Sequence, residues 1–320
     1  MTNIELFTQN GQTIYIPPIE DGITWETERK NTPGKLTFST IPDDVLSITE
    51  GNPVSFKVNG TNLFYGFVFG KKYDRDRKKQ ITAYDQLRYF KNKDTYNYSN
   101  KRADQVVSML AGDFKLNVGT LENTGYIIPS RVEENKTLFD ISQMAIELTL
   151  QYKNEMYVLY DDFGKLMLRN IANMKIELLI DEETGQNFDY SSSIDGETYN
   201  KIKLSYDNED AGKREIYIAQ DSSHINEWGV LQYFDTIDEN VNGKAKVDAL
   251  LSLYNKKTRN LTIKDAIGDI RVRAGTIVAV SLKLDDITIQ NFMLVEKAKH
   301  TFKNNEHTMD LTLRGDTFSA

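Results

Sequence analysis

GNPVSFKVN (51–59) and GTIVAVSLK (275–283) decide how this chain is read. Set one above the other, Gly51, Val54, Phe56 and Val58 fall on Gly275, Val278, Val280 and Leu282, at a constant offset of 224 (275 − 51). Each stretch opens on a glycine and places apolar residues at every second position, the pattern of a half-buried strand that follows a turn. The likeness extends outward. Downstream, LFYGFVFGKK (63–72) stands against NFMLVEKAK (291–299), and QITAYD (80–85) against TMDLTL (308–313). Upstream, GKLTFS (34–39) answers NKIKLS (200–205). Any two β-hairpins share alternation, but here the order of the elements is also kept, so an internal duplication is expected.

The rest of the chain is organised around those two β regions. Residues 1–95 read as short strands punctuated by Pro17-Pro18, Pro33-Gly34, Pro42 and Asn59-Gly60, a first small β-barrel or sandwich. Residues 96–173 read as a small α/β domain. Helices are expected over 99–114, with Asn100 as cap candidate and Gly112 near the end, and over 134–153, with Leu138, Ile141, Met144, Ala145 and Leu148 on one face. NEMYVLYDDFGKLMLRN (154–170) follows as two strands joined at Asp161–Gly164. Residues 174–320 read as a second β region with a helical insertion at about 221–257, whose best helix, 242–257, carries Ala245, Val247, Leu250, Leu251 and Leu253 on a broad apolar stripe.

Composition narrows the function. A chain of 320 residues with 39% hydrophobic content is long enough for two or three domains. No run approaches the ~20 apolar residues of a membrane helix, and MTNIELFTQNGQTIYIPP lacks the basic and apolar regions of a secretory signal. With no cysteine, thiolate catalysis, thiolate metal sites and disulfides are excluded. The net charge of −8 disfavours specific nucleic-acid binding. The basic run KKYDRDRKK (71–79) lies between strands and reads as a solvated turn.

Two of the three histidines lie in AKHTFKNNEHTMDLTLRG (298–315). A hairpin turn centred on Asn304-Asn305 sets Phe302 opposite His307 and His300 opposite Met309, which puts both imidazoles on the apolar face. Zinc needs at least three protein ligands. Asp310 points to the other face and His224 lies in a distant loop, so the pair is expected to be structural. Other motifs fail on spacing. DFG (162–164) has no glycine-rich loop or catalytic loop beside it. DNEDAG (207–212) has Ala211 at a calcium-ligand position, and DTIDENVNG (235–243) misses the loop spacing. There is no phosphate-binding loop, nucleophile elbow or zinc-binding helix motif. Seventeen tyrosines with Trp25 and Trp228 suit β cores and protein interfaces, or a sugar-binding face. No catalytic, cofactor-binding or metal-binding residue is nominated.

ITWETERKNTPGKLTFSTIPDD, GNPVSFKVNGTNLFYGFVFGKK and ITAYDQLRYFKNKDTYNYSNKRADQVVSMLAGDF form a continuous pattern. It resembles the baseplate hub proteins of contractile phage tails, the late-control-protein-D group, in the form encoded by prophages and phage-tail-like bacteriocins of Gram-positive bacteria. The likeness rests on Trp25 with the Gly34-Lys35-Leu36 strand, Phe64–Val68, Asp85–Tyr89, the helix at 102–112 and the closing hairpin. It covers the chain and is most specific in the N-terminal third. The resemblance implies two related tube-type β-barrels with accessory α/β parts, closing as a homotrimer. Three chains with two barrels each would match a six-fold tail tube and present three-fold symmetry to a central spike protein. Sheet edges would be completed by neighbours.

The implied partners are the tail tube or tube-initiator protein, the spike, baseplate wedge proteins and a tape-measure protein in the lumen, with no specific nucleic acid and no membrane insertion. The implied location is the bacterial cytoplasm during assembly and then the baseplate. The acidic balance suits a lumen along which DNA or the tape-measure protein slides. Larger relatives carry a fused lytic domain, for which this chain shows no spare segment. A structural, non-enzymatic hub is therefore expected, with a cell-wall hydrolase or sugar-binding module of the same tail as the alternative.

Overall fold

Strict alternation of buried and half-exposed residues in KLTFST and PVSFKV fixes how the first strands lie. Leu36, Phe38, Val54 and Phe56 are at most 1% exposed, and their neighbours in sequence face outward. The structure, a computed structural model, describes residues 2–75, 77–185, 187–208, 212–237, 241–284 and 287–315. The first strands are β1 (Ile4–Asn10), β2 (Thr13–Tyr15), β3 (Ile19–Glu28), β4 (Lys35–Thr40), β5 (Pro53–Val58), β6 (Thr61–Tyr73) and β7 (Lys79–Tyr84). Next come β8 (Lys93–Lys101), α1 (Ala103–Asp113), β9 (Val118–Leu121), β10 (Ile128–Thr137), α2 (Leu138–Lys153), β11 (Tyr157–Asp161) and β12 (Leu166–Asn170). The chain continues through β13 (Lys175–Ile180), β14 (Asn187–Ser193), β15 (Lys201–Asn208), β16 (Lys213–Gln220), α3 (Ser222–Trp228), β17 (Gln232–Thr236) and α4 (Gly243–Tyr254). It closes with β18 (Thr258–Ile267), β19 (Ile277–Leu284), β20 (Ile287–Lys303) and β21 (Glu306–Gly315). The fold is mainly β, and among the described residues no helix is long and apolar enough to cross a membrane.

One sheet of thirteen strands holds both β regions. Its path runs β14-β18-β21-β20-β3-β4-β7-β6-β5-β1-β2, with β19 joined to β20 and β13 to β19. Cut between β20 and β3, it yields two arrays in the same chain order: β3-β4-β7-β6-β5-β1 and β14-β18-β21-β20-β19-β13. The register repeats as well. Leu36 and Phe38 lie opposite Ala83 and Ile81, as Leu261 and Ile263 lie opposite Leu313 and Leu311. Both arrays carry a bulge at the matching place, between Val68 and Gly70 and between Val295 and Lys297. Gly51 and Gly275 both adopt left-handed φ, +87° and +97°. Each donates its N–H at 2.8 Å, to Val68 O and Val295 O respectively, and each valine N–H returns at 2.9 Å to the residue after the glycine. The arrays differ at one end, where β1 runs antiparallel to β5 but β13 runs parallel to β19.

Several expectations change. Neither array closes into a barrel among the described residues: in the first, the edge of β3 that closure would use is already bonded to β20, and in the second β14 pairs with β18 alone and β13 with β19 alone. NKIKLS does not answer GKLTFS. It forms β15, which pairs with β16 and β17 in a separate three-stranded sheet, and NLTI of β18 takes the position of KLTF. Helix α1 starts at Ala103 behind Arg102, whose backbone N–H is capped by Gln105 Oε1 at 3.0 Å. Asn100 instead lies in β8 with φ of +53°. Helix α2 starts at Leu138 because Thr137 and Asp140 form a capping box, and Met144 faces outward while Ser142 and Thr149 are buried. His224 lies in α3, with its ring stacked 3.9 Å from Trp228.

The core is divided among clusters. Leu6, Trp25, Phe38 and Phe56 anchor the first array, and Val278, Met293, Leu311 and Leu313 the second. Val106, Leu110, Leu138, Ile141, Leu166 and Leu168 join α1 and α2 to the β9-β12-β11 sheet. Ile202, Leu204, Val247 and Leu250 hold α4 on the β15–β17 sheet. Each fully buried large side chain contributes roughly 1.5–3 kcal/mol.

Candidate functional site

The place where the two arrays meet is the feature the fold is built around. Six rungs run from Lys297–Glu28 to Phe302–Ile23. Arg29, with its side chain only 4% exposed, donates from Nε and Nη2 to the two oxygens of Glu296, both at 2.8 Å. A bidentate guanidinium–carboxylate pair fixes strand register as well as supplying energy. Thr27 Oγ1 accepts from Ala274 N at 2.9 Å. Trp25 stacks on His300 with ring centroids 5.0 Å apart, and Phe302 meets Phe56 edge-on at 5.2 Å. Gly22 is required here, because its φ is +87° and a Cβ would stand 2.5 Å from Phe302 O.

The histidine hairpin is part of this seam. Its register is the one expected, Phe302 opposite His307 and His300 opposite Met309, with Asn304 and Asn305 both at positive φ. His300 Nε2 lies 2.9 Å from Val272 O and therefore carries the proton, and Nδ1 accepts from His307 Nε2–H at 2.8 Å. Both nitrogens of His300 are engaged, so His300 has no free lone pair to offer a metal. Burial lowers His300 to about 3, assisted by His307, and lowers His307 to about 4 against the pull of Asp269. Among the described residues no three or more His, Asp or Glu side chains converge on a metal-binding position.

A buried polar junction, which the sequence reading missed, links the first array, the α/β part and the second array. Asp85 accepts from Gly34 N at 2.8 Å and Leu87 N at 3.0 Å. Gln86 donates to Asp161 Oδ2 at 2.9 Å and to Asn117 O at 3.0 Å, and accepts from Asn117 N at 3.0 Å. Gly164 N donates to Asp161 Oδ1 at 2.7 Å, and Arg273 Nη2 to Asp161 O at 2.7 Å. Arg273 also lies over the Tyr160 ring at 3.9 Å. Burial, with Asp161 nearby, raises Asp85 well above the usual carboxylate range, and burial raises Asp161 to about 6. Asp85 and Asp161 are 4% and 6% exposed, and their oxygens accept from N–H donors. Asp85 and Gln86 stood in plain view in the sequence, but nothing there pointed to Arg273 as their neighbour.

The remaining sequence candidates lie apart. Phe163 and Gly164, with φ of +47° and +81°, turn DFG between β11 and β12. Residues 209–211 and 238–240 of the two calcium-like stretches, and residue 76 of the basic run, lie outside the described residues. The cleft beside α2 and α4 is lined by Arg29, Lys30, Glu147, Tyr254, Lys256 and Arg314 among others, with Tyr254 its single aromatic. The open strand edges among the described residues include one in each array. β14 pairs with β18 alone, and residues 70–73 of β6 pair with β7 alone.

The profile of the YQBQ-like family matches residues 23–314. The phage-like element PBSX protein XkdQ of Bacillus subtilis is 33% identical, over 96% of this chain and 96% of its own length. Among solved structures, the 43 kDa tail protein of prophage MuSo2 from Shewanella oneidensis superimposes with a TM-score of 0.68 at 13% identity, over 97% of this chain and 98% of its own. The Escherichia coli protein c3393, a type VI secretion component described as similar to the T4 tail proteins gp27 and gp5, gives 0.59 at 10% identity, over 98% of this chain and 77% of its own. The fold is thus that of phage tail proteins.

Proposed function

This chain belongs to the YQBQ-like family, and from that premise we propose that it is the structural hub of a contractile-tail baseplate, in a phage or a phage-tail-like particle. The observation that carries the reading is the pair of like-ordered arrays joined edge to edge through β20 and β3. One chain then presents two quasi-equivalent blades, and three chains present six. A homotrimer on this plan meets a six-fold tail tube or tube-initiator protein on one side and a three-fold spike protein on the other. Baseplate wedge proteins would bind its periphery, and a tape-measure protein would thread its lumen. The chain would assemble in the bacterial cytoplasm and remain in the baseplate.

The domain division proposed with this role is 1–95, 96–173 and 174–320. The separate β15–β17 sheet argues for starting the insertion of the last unit near Lys201 rather than 221. The role is non-enzymatic. Asp85 and Asp161, the carboxylates raised by burial, serve as acceptors in a packed junction, and the cleft beside α2 lacks the aromatic platform of a sugar site. Electron microscopy of the particle tests the reading. The expected image is a ring of three chains with six similar lobes between tube and spike. A chain found elsewhere in the particle, or one that clears cell walls as a purified monomer, overturns it.

A further inference from the structure

The repeat supplies a register for a contact that the single chain leaves open. Strand for strand, β6 is the counterpart of β20 and β14 the counterpart of β3. Cross-strand partners fix the residues. Trp25 lies opposite Leu36 as Tyr190 lies opposite Leu261, and Val68 lies opposite Ala83 as Val295 lies opposite Leu313. Counting outward from these rungs, and past the shared bulge, places Gly70–Tyr73 where Lys297–His300 stand and Tyr190–Ser193 where Trp25–Glu28 stand. Lys297–His300 and Trp25–Glu28 are paired with each other inside the chain. Gly70–Tyr73 and Tyr190–Ser193 have no partner on those same edges among the described residues.

We infer that the free edge of β6 in one copy pairs, antiparallel, with the free edge of β14 in the next copy, with Gly70 opposite Ser193, Lys71 opposite Ser192, Lys72 opposite Ser191 and Tyr73 opposite Tyr190. The inference rests on the ring reading above and names the surface that builds the ring. Two features of the edges fit it. Tyr73, 56% exposed, and Tyr190, half-buried, are the repeat counterparts of His300 and Trp25, so an aromatic pair recurs on the same rung. Phe69 and Ile194 likewise stand in for Glu296 and Arg29, an apolar pair in place of a charged one. In addition, β14 reads NFDYSSS, without the lysine or proline that guards an edge meant to stay unpaired. Lys72 reaches Asp189 on the diagonal. The ladder ends at the tyrosine rung, since the next one would set Asp74 against Asp189.

Cysteine bridging tests the register, and the wild-type chain contributes no cysteine of its own. Lys72 and Ser191 are exposed. Opposed residues of antiparallel strands bring their Cα atoms to about 4.5–5.5 Å, within disulfide reach. The full chain carrying Lys72→Cys and Ser191→Cys is oxidised mildly, both purified at high concentration and in assembled particles. The expected result is reductant-sensitive covalent multimers, and dimers when the two single variants are mixed. Gly70→Cys with Ser193→Cys bridges as well, whereas Lys72→Cys with Asn187→Cys, about 13 Å off the rung at ~3.3 Å per residue, does not. Native mass of the same samples separates two failures. A discrete oligomer that forms neither bridge overturns this edge and leaves the hub reading. A chain that stays single both in solution and in the particle overturns both.

Discussion

Gly51 and Gly275 hold the same place in the two repeats, with the same left-handed backbone and the same pair of hydrogen bonds, but in different surroundings. A Cβ on Gly51 meets nothing within 4 Å, while one on Gly275 stands 2.7 Å from Val158 Cγ1. Gly51→Ala therefore costs only backbone strain, about 1 kcal/mol, and Gly275→Ala adds overpacking for a total of roughly 2–3 kcal/mol. Urea midpoints of the two variants check the difference, and equal shifts would show that the contact with Val158 relaxes freely. Titration gives a second residue-scale test. An unfolded histidine takes its proton near 6.5, whereas His300 and His307 hold out to about 3 and about 4. Between those values the unfolded state binds more protons, so stability present above pH 6.5 is lost as pH falls, by at most ~1.4 kcal/mol per pH unit for each histidine. Asp161 works the other way. Its carboxyl at about 6 binds a proton in the fold before the unfolded group does at 3.8, so acidification through that window adds stability. Unfolding free energies at pH 7 and pH 5 should show His307→Gln flattening the acid loss, since its amide still donates to His300 Nδ1, and Asp161→Asn steepening it. An unchanged pH dependence in both variants would remove these groups from the account.

Among the elements, β20 decides most. Its first half pairs with β19, its second half with β3, and β21 follows it along most of its length. At the point where β20 changes partner, Arg29 and Glu296 close the seam, so breaking that pair is costly. Arg29→Met leaves the Glu296 carboxylate, 23% exposed, without its bidentate donor and should destabilise by roughly 2–3 kcal/mol. The double variant Arg29→Met, Glu296→Leu should recover much of that loss. A double-mutant cycle by urea denaturation measures the coupling, and a coupling below ~0.5 kcal/mol would reduce the pair to ornament on a seam held by Trp25 and Phe302. Nothing in the sequence marked this pairing, because alternation tells which face a strand buries and not which strand, some 270 residues away, lies beside it (296 − 29 = 267). The closing hairpin, by contrast, was legible to the rung, since Asn304-Asn305 fixes a local turn and the turn fixes the register. β8 and β10 escaped notice because KDTYNYSNK and IPSRVEENKT bury few side chains and so lack a period. KIKLS was misaligned because any period-2 strand fits any other by pattern alone, and only the ladder partners single out NLTI.

At the scale of the molecule, fusing two repeats makes one seam permanent and would leave the proposed seam between copies to mass action. The two are unequal. The internal seam has six rungs, the Arg29–Glu296 clamp, and Trp25 on His300 in a fully buried setting. The proposed external one has four rungs, a serine-rich strand and a single tyrosine pair. Its strands also meet as separate chains, without the high effective concentration that covalent linkage gives the internal pair. Denaturant should therefore act in two steps, first releasing folded single chains and then unfolding them. The first midpoint depends on protein concentration because association is at stake, and the second does not. A urea titration followed in parallel by molar mass and by far-ultraviolet circular dichroism, repeated at tenfold higher concentration, should move the mass transition to higher urea and leave the dichroism transition in place. Loss of mass and secondary structure in one concentration-dependent step would mean that the blades fold only as a ring, and that the internal seam is no stronger than the one between copies.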